Sequence, residues 1–174
     1  VYKRQGKELP QIVLSKFFKN GDFRSGYYRD QTILMSQGHL SVREIFSALY
    51  ANTDNKLEPM SGGRQMGGHF VTRSIDEEGN YLNLINQKNH SSDISPVAGQ
   101  IPRLIGLGQA SKIYRKLKIS NSEKFSKNGN EIAWGTIGNA ATSEGIFFES
   151  FNAAGVIQAP IIISVWDDEY GISV

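Results

Sequence analysis

A chain of 174 residues with a formal net charge of +2 amounts to about one domain and is long enough to bury a core. Its basic residues are scattered apart from a cluster in "SKIYRKLK" (111–118), which leaves neither a nucleic-acid stripe nor a membrane-binding face. The absence of cysteine excludes a disulfide framework, a thiolate metal site and a thiol nucleophile, and fits a reducing compartment, with the cytoplasm as the default. No apolar run reaches the length of a membrane span, and the opening "VYKRQGKELPQ" has neither a signal-peptide core nor an initiator methionine. The ending "APIIISVWDDEYGISV" breaks off just after a strand and its loop, so residues 1–174 are expected to be a single domain cut from a longer chain.

The first predicted element is a helix over "ELPQIVLSKFFKN" (8–20), with Ile12, Leu14, Phe17 and Phe18 on its buried side and Gly21 as its stop. "GDFRSGYYRDQ" follows as a loop. "SVREIFSALYANT" is the clearest helix: Ser41 and Glu44 form a capping box, and Val42, Ile45, Phe46, Leu49 and Tyr50 repeat at helical spacing. Residues 1 to about 55 therefore read as a helical segment. "MSGGRQMGGHF" and the extended "NYLNLINQ" lack periodicity and read as loops, either around a site or at the surface. A further helix is expected to start near Pro102 and run through "RLIGLGQASKIYRKLK", with its basic residues where the helix dipole favours cations. After the polar loop "ISNSEKFSKNGN", "EIAWGTI" is strand-like, "SEGIFFESFNAAGVIQ" helix-like and "APIIISVW" a continuous apolar strand. That order is a βαβ unit, and apolar strands without alternation predict a parallel sheet covered on both faces. The fold class is α/β, a parallel sheet flanked by helices.

"GTIGNAATSEG" (135–145) occupies the corner between the first of those strands and the helix, where ligands of open parallel sheets bind and free N–H groups meet anions. Gly138 is expected to permit a tight turn, Ala140 and Ala141 to keep the backbone accessible, and Thr142 or Ser143 to cap the helix. Asn139 closes one strand and Asp168 the next. Their amide and carboxylate oxygens are hard ligands suited to magnesium or calcium, with phosphate oxygens and waters completing the shell. On these residues alone two readings stand: an ordinary βαβ corner with a polar loop, and a cation that bridges the protein to a diphosphate.

From Gly138 through Gly171 the sequence resembles the thiamine diphosphate motif of the 2-oxo acid dehydrogenase E1 family, α-subunit side. Gly138-Asn139-Ala140 stands where the family has Gly-Asp-Gly, and Asp168-Glu169-Tyr170-Gly171 where it has Asn-x-Tyr-Gly. The family puts the acid first and the amide second, whereas this chain has Asn139 first and Asp168 second. The formal charge is the same, so the resemblance implies that Mg2+ is still held by Asn139, Asp168 and the backbone carbonyl of Tyr170. "SGYYRDQTILMSQG" is similar to the family's Tyr-Arg segment and implies Tyr28 and Arg29 on the diphosphate, where a guanidinium matches phosphate oxygens. "GGRQMGGHF" resembles its Arg-Gln-Met segment, which makes Arg64 and His69 candidates at the catalytic channel, a structural role for His69 being the alternative. "DISPVAGQIPRLIGLG" resembles its Ser-Pro-Leu segment and implies Ser95, Val97 and Gln100 around the aminopyrimidine. The cofactor set is completed by Gly138, Asn139, Ala140, Ala141 and Tyr170. "GLGQAS" (106–111) superficially resembles a dinucleotide fingerprint, but no strand precedes it, and its glycines read as helix-packing positions.

The resemblance implies the α-type part of an E1, using thiamine diphosphate and Mg2+ for oxidative decarboxylation of a 2-oxo acid and acyl transfer to the lipoyl domain of an E2 partner. It also implies a β-type half or subunit that carries the activating glutamate, an oligomeric assembly, and an inactive chain when alone. Two alternatives are a transketolase-like thiamine diphosphate enzyme and a non-catalytic assembly domain that has lost the cofactor.

Overall fold

The apolar runs after residue 130 form the expected strands, and two polar stretches earlier in the chain join them. In a computed structural model, which describes residues 6–65, 69–169 and 171, four parallel strands lie in the order β2-β1-β3-β4. They are β1 Phe23–Tyr27, β2 Asn89–Ile94, β3 Ala133–Gly138 and β4 Ile161–Trp166. The described residues also form the helices α1 Glu8–Phe17, α2 Gln31–Ser36, α3 Val42–Leu49, α4 Gln100–Lys116 and α5 Gly145–Ile157. The α/β class is as expected. So is the βαβ unit: β3 and β4 keep unbroken parallel register from Ala133 opposite Ile161 to Gly138 opposite Trp166. Burial on both faces holds for β3, every residue of which is buried. It does not hold for β4, a sheet edge that leaves Ile162 and Val165 exposed.

The expected loop over "GDFRSGYYRDQ" is corrected: it contains β1, an inner strand that pairs with both β2 and β3. The 1–55 stretch is therefore not wholly helical. β1 and β2 carry Arg24, Ser25, Asn89, His90 and Asp93 rather than an apolar run; Arg24, His90 and Asp93 satisfy one another, while Ser25 donates to the Gln100 carbonyl and Asn89 to the Asp22 and Leu84 carbonyls. Gly26 makes that possible, since a Cβ there would run into the Arg24 guanidinium and the Asp93 carboxylate. Gly26→Ala is accordingly expected to cost about 1–3 kcal/mol of stability, read as a lower urea midpoint at unchanged slope.

The faces of the N-terminal helices also differ from expectation. α1 buries Gln11 and Ser15, with Leu14 and Phe18 against the core, whereas Ile12 and Phe17 are exposed, Phe17 by 64%. Gln11 faces inward because its amide serves two backbone groups, donating to the Arg29 carbonyl (3.3 Å) and accepting from the Ile33 N–H (3.3 Å). In α3 the capping box forms as expected: Glu44 N–H donates to Ser41 Oγ (3.2 Å) and Ser41 N–H to Glu44 Oε2 (2.7 Å). Its apolar side is nonetheless left at the surface, with Val42, Phe46, Leu49 and Tyr50 exposed and Ala48 buried. α4 packs on β4 at Gly108, where a Cβ would lie 2.6 Å from Ile161 Cγ2; Gly106 makes no such approach, so the packing reading holds for one glycine of the pair. "NYLNLINQ" contributes Tyr81 to an isolated antiparallel bridge with Ile75 and then a 3-10 turn, Leu84–Asn86.

Candidate functional site

At the carboxyl ends of β1, β3 and β4 the backbone is organised by one buried carboxylate. Asp30, just after the β1 turn, accepts from the Tyr27 N–H (3.0 Å), from Trp166 Nε1 (3.0 Å) at the end of β4, and from the Thr136 hydroxyl on β3. It is itself neutralised by Arg24, whose Nη1 lies 2.6 Å away. Three strand ends are thus tied together, and the turn that carries Tyr28 and Arg29 is held against them. Sequence reasoning missed Asp30, Arg24 and Tyr27. The available signal was an arginine and an aspartate flanking a short "SGYY" run, which a surface turn produces equally well.

Around this anchor lies a pocket of about 200 Å³ whose wall includes Tyr28, Arg29, Val97, Gln100, Asn139 and Asp168, together with Gly138, Ala140 and Ala141. The Arg29 guanidinium lies over the Tyr27 and Tyr28 rings, 5.3 and 4.6 Å from their centres, and donates to the Tyr27 hydroxyl. Burial, then the neighbouring Tyr28, push the Tyr27 phenol up to about 12, so it stays protonated at neutral pH. Gln100 is 1% exposed; its Nε2 donates to the Thr136 carbonyl (2.7 Å), while its Oε1, also buried, finds no donor among the described residues. A ligand N–H reaching this wall would satisfy that oxygen.

Asn139 and Asp168 are brought to one pocket by strand register: Gly138 stands opposite Trp166, and the Asn139 N–H reaches the Trp166 carbonyl (3.4 Å). Asp167 is exposed, outside that pocket wall, and accepts from the Glu169 N–H (2.8 Å). Two corner details are corrected. Gly138 ends β3 without entering the left-handed region, so no tight-turn glycine is needed. Neither Thr142 nor Ser143 caps α5: residues 140–143 form a 3-10 turn in which the Thr142 hydroxyl donates to the Asn139 carbonyl (2.6 Å), and Glu144 is the N-cap.

Ser95, His69 and Arg64 lie outside the pocket wall. His69 Nδ1 meets the Asp93 carbonyl (3.0 Å) and its Nε2 the Ser95 hydroxyl (2.7 Å), so the first ring nitrogen carries the proton and the second accepts from Ser95. Arg64 is exposed. Its loop is shaped by Glu58, a fully buried carboxylate that accepts from the N–H groups of Met60, Ser61 and Gly63 and from the Ser61 hydroxyl. Burial pushes Glu58 up, but those donors, Gly63 foremost, outweigh it and hold the carboxyl below its usual range. Tyr170 and the stretch Met66 to Gly68 lie outside the described residues.

The donor set fits a diphosphate with a divalent ion. Asn139 and Asp168 offer hard oxygens, Arg29 offers positive charge, and the small residues 138, 140 and 141 leave the backbone open to a bulky anion. Among the described residues no group of three His, Cys, Asp or Glu side chains could hold a metal alone, so oxygens from a bound anion and water would have to complete the shell.

A parallel α/β sheet with a pocket at its strand ends is an architecture shared by many ligand-binding proteins, and comparison with known proteins narrows the class. Residues 1–174 match the family described as Dehydrogenase E1 component, and the chain belongs to that family; its sheet is part of the E1, thiamine diphosphate-binding domain. It is similar to 2-oxoisovalerate dehydrogenase subunit alpha of Bacillus subtilis (strain 168), 28% identical over 171 residues that make up 98% of this chain and 43% of that protein. The mitochondrial subunits of that name from Caenorhabditis elegans and Homo sapiens are 28% and 26% identical over 97% of this chain, covering 32% and 31% of their own lengths. The chain thus spans less than half of these relatives. No helix among the described residues is long and apolar enough to cross a membrane.

Proposed function

We propose that the chain is the α-type part of a 2-oxo acid dehydrogenase E1 and holds the magnesium-diphosphate end of thiamine diphosphate. The observation that carries this reading is the convergence of Arg29, Asn139 and Asp168 on one pocket, in a chain matched end to end by the E1 family. When bound, the cofactor supplies the electron sink for loss of carbon dioxide from a 2-oxo acid. The work of this chain is binding and orientation. Tyr28 and Arg29 would grip the diphosphate, Asn139 and Asp168 would hold Mg2+, with the Tyr170 carbonyl as the further ligand that the family resemblance implies, and the small residues Gly138, Ala140 and Ala141 would leave room for the anion. Val97 and Gln100 on the pocket wall, with Ser95 outside it, would meet the aminopyrimidine, where the spare Gln100 Oε1 would accept a ligand N–H. His69, its Nδ1 proton held by the Asp93 carbonyl, and Arg64 would act on the substrate from outside this pocket wall.

The acyl group passes to the lipoyl domain of an E2 partner, and a β-type E1 half completes the site. Its presence also accounts for the apolar surfaces of α3 and α5, where Phe46, Phe148 and Val156 are 51%, 62% and 75% exposed. Thiamine diphosphate together with Mg2+ is expected to raise the melting temperature of the full-length protein with its β-type partner, and neither alone to do so fully. Arg29→Met should weaken cofactor affinity by roughly ten- to a hundredfold, the loss of charge-assisted hydrogen bonds to phosphate. No metal-dependent shift in the assembled protein would instead point to an assembly domain without cofactor. Turnover of 2-oxo acids rather than ketose phosphates separates the E1 reaction from a transketolase-like one.

A further inference from the structure

Lys7 brings to the pocket an ammonium group that the cofactor reading does not use. Its Nζ lies 3.1 Å from Oδ2 of Asp168, and the two side chains are 7% and 8% exposed. Its placement is built into the fold. Lys7 is the N-cap residue of α1, and Gln11 fastens α1 to the pocket wall through the Arg29 carbonyl and to α2 through the Ile33 N–H. An ammonium buried to this degree needs a counter-charge, and Asp168 supplies it.

Asp168 is also the carboxylate that the cofactor reading gives to the metal. A magnesium ion binds a carboxylate oxygen at about 2.0–2.1 Å, well inside the separation of the ammonium from that oxygen, and the two cations repel. Resting on that reading, we infer that Lys7 is a built-in competitor for the divalent ion at Asp168: the ion binds against the repulsion of an ammonium already paired to that carboxylate, so Lys7 raises the metal concentration at which the pocket fills. The Asn139/Asp168 exchange gives this competition its target, because it puts the carboxylate on the strand end that Lys7 reaches.

Titration of the full-length protein with its β-type partner by Mn2+, with and without thiamine diphosphate, followed by the electron paramagnetic resonance signal of the free ion, tests this, alongside a titration by thiamine diphosphate itself. Lys7→Met is expected to tighten Mn2+ binding at least tenfold, and Lys7→Arg to stay within about threefold of the parent because it keeps the charge. Lys7→Gln, which keeps a donor for Asp168 without the charge, should tighten binding as Lys7→Met does, so the result does not hang on one variant folding. Unchanged or weaker Mn2+ binding in the uncharged variants overturns the competition, and so does a loss confined to thiamine diphosphate affinity, which would make Lys7 a phosphate ligand. If neither the parent nor the variants bind Mn2+, with or without thiamine diphosphate, the cofactor reading itself fails.

Discussion

Arg24→Met is expected to lower folding stability by about 3–5 kcal/mol, the range for breaking a buried ion pair by removing one partner. The guanidinium is 1% exposed and each of its three nitrogens has an assigned partner: Nη1 to Asp30 (2.6 Å), Nη2 to Asp93 (2.7 Å) and Nε to His90 Nδ1 (2.9 Å). Burial works against the charge, but the carboxylates of Asp93 and Asp30 overcome it and raise the pKa of Arg24. Methionine fills much of the same volume, so the loss would come from leaving two carboxylates buried without their counter-ion rather than from a cavity. The double variant Arg24→Met/Asp93→Asn should recover part of the loss, because it removes one of the stranded charges. Urea denaturation of the three proteins measures this. A loss below about 1 kcal/mol would match a weak surface pair and would mean that the Arg24 cluster does not hold the strand ends together. The consequence reaches the pocket, since Asp30 fixes the turn that carries Tyr28 and Arg29, and cofactor affinity should fall in Arg24→Met although residue 24 does not line the pocket wall.

That cluster also explains how much of the molecule was legible beforehand. "EIAWGTI" and "APIIISVW" announce buried parallel strands because their core is apolar, whereas the glycine-bearing corner between them suits an anion site and an ordinary βαβ corner equally on its residues alone. "FRSGY" and "NHSSDI" announce nothing. They are strands whose burial depends on partners far apart in sequence, Arg24 with Asp93 and Asn89 with the Leu84 and Asp22 carbonyls, and hydrophobic periodicity cannot register that. The same limit applied to the helices. α1 and α3 were found from local signals, the capping box above all, but which side they bury is decided by what lies beside them. Gln11 turns inward because two backbone groups need it, and the apolar side of α3 meets no covering element among the described residues. At the pocket, register makes the meeting of Asn139 and Asp168 predictable once β3 and β4 are known to be neighbours. Lys7 was invisible for the opposite reason, because only the tertiary placement of α1 brings position 7 to Asp168.

Acid is expected to destabilise the protein through His90 well before its carboxylates titrate. The ring is 1% exposed, stacks on Phe18 at 5.2 Å, accepts from Arg24 at Nδ1 and donates from Nε2 to Gln37 Oε1 (2.7 Å), an arrangement open only to the neutral imidazole. Burial first, and then the Arg24 charge with smaller contributions from His39 and Lys88, bring its pKa from the ordinary 6.5 down to about 2. With the folded value below the unfolded one, the unfolded chain binds the extra proton throughout the window from 6.5 down to about 2. The contribution of His90 is therefore complete above pH 6.5 and declines below it by about 1.4 kcal/mol per pH unit. His90→Phe keeps the stack on Phe18 but loses the two hydrogen bonds and the titration. At pH 7.5 the parent should be the more stable protein by about 1–3 kcal/mol, and that gap should shrink by about 2 kcal/mol between pH 6.5 and 5. His39 is pushed down as well, by burial and then by Lys88, but it is present in both proteins and cancels in the difference. Urea midpoints of parent and variant across pH 5 to 8 decide the matter, and a gap that stays constant over that range would mean that His90 titrates alike in the folded and the unfolded chain.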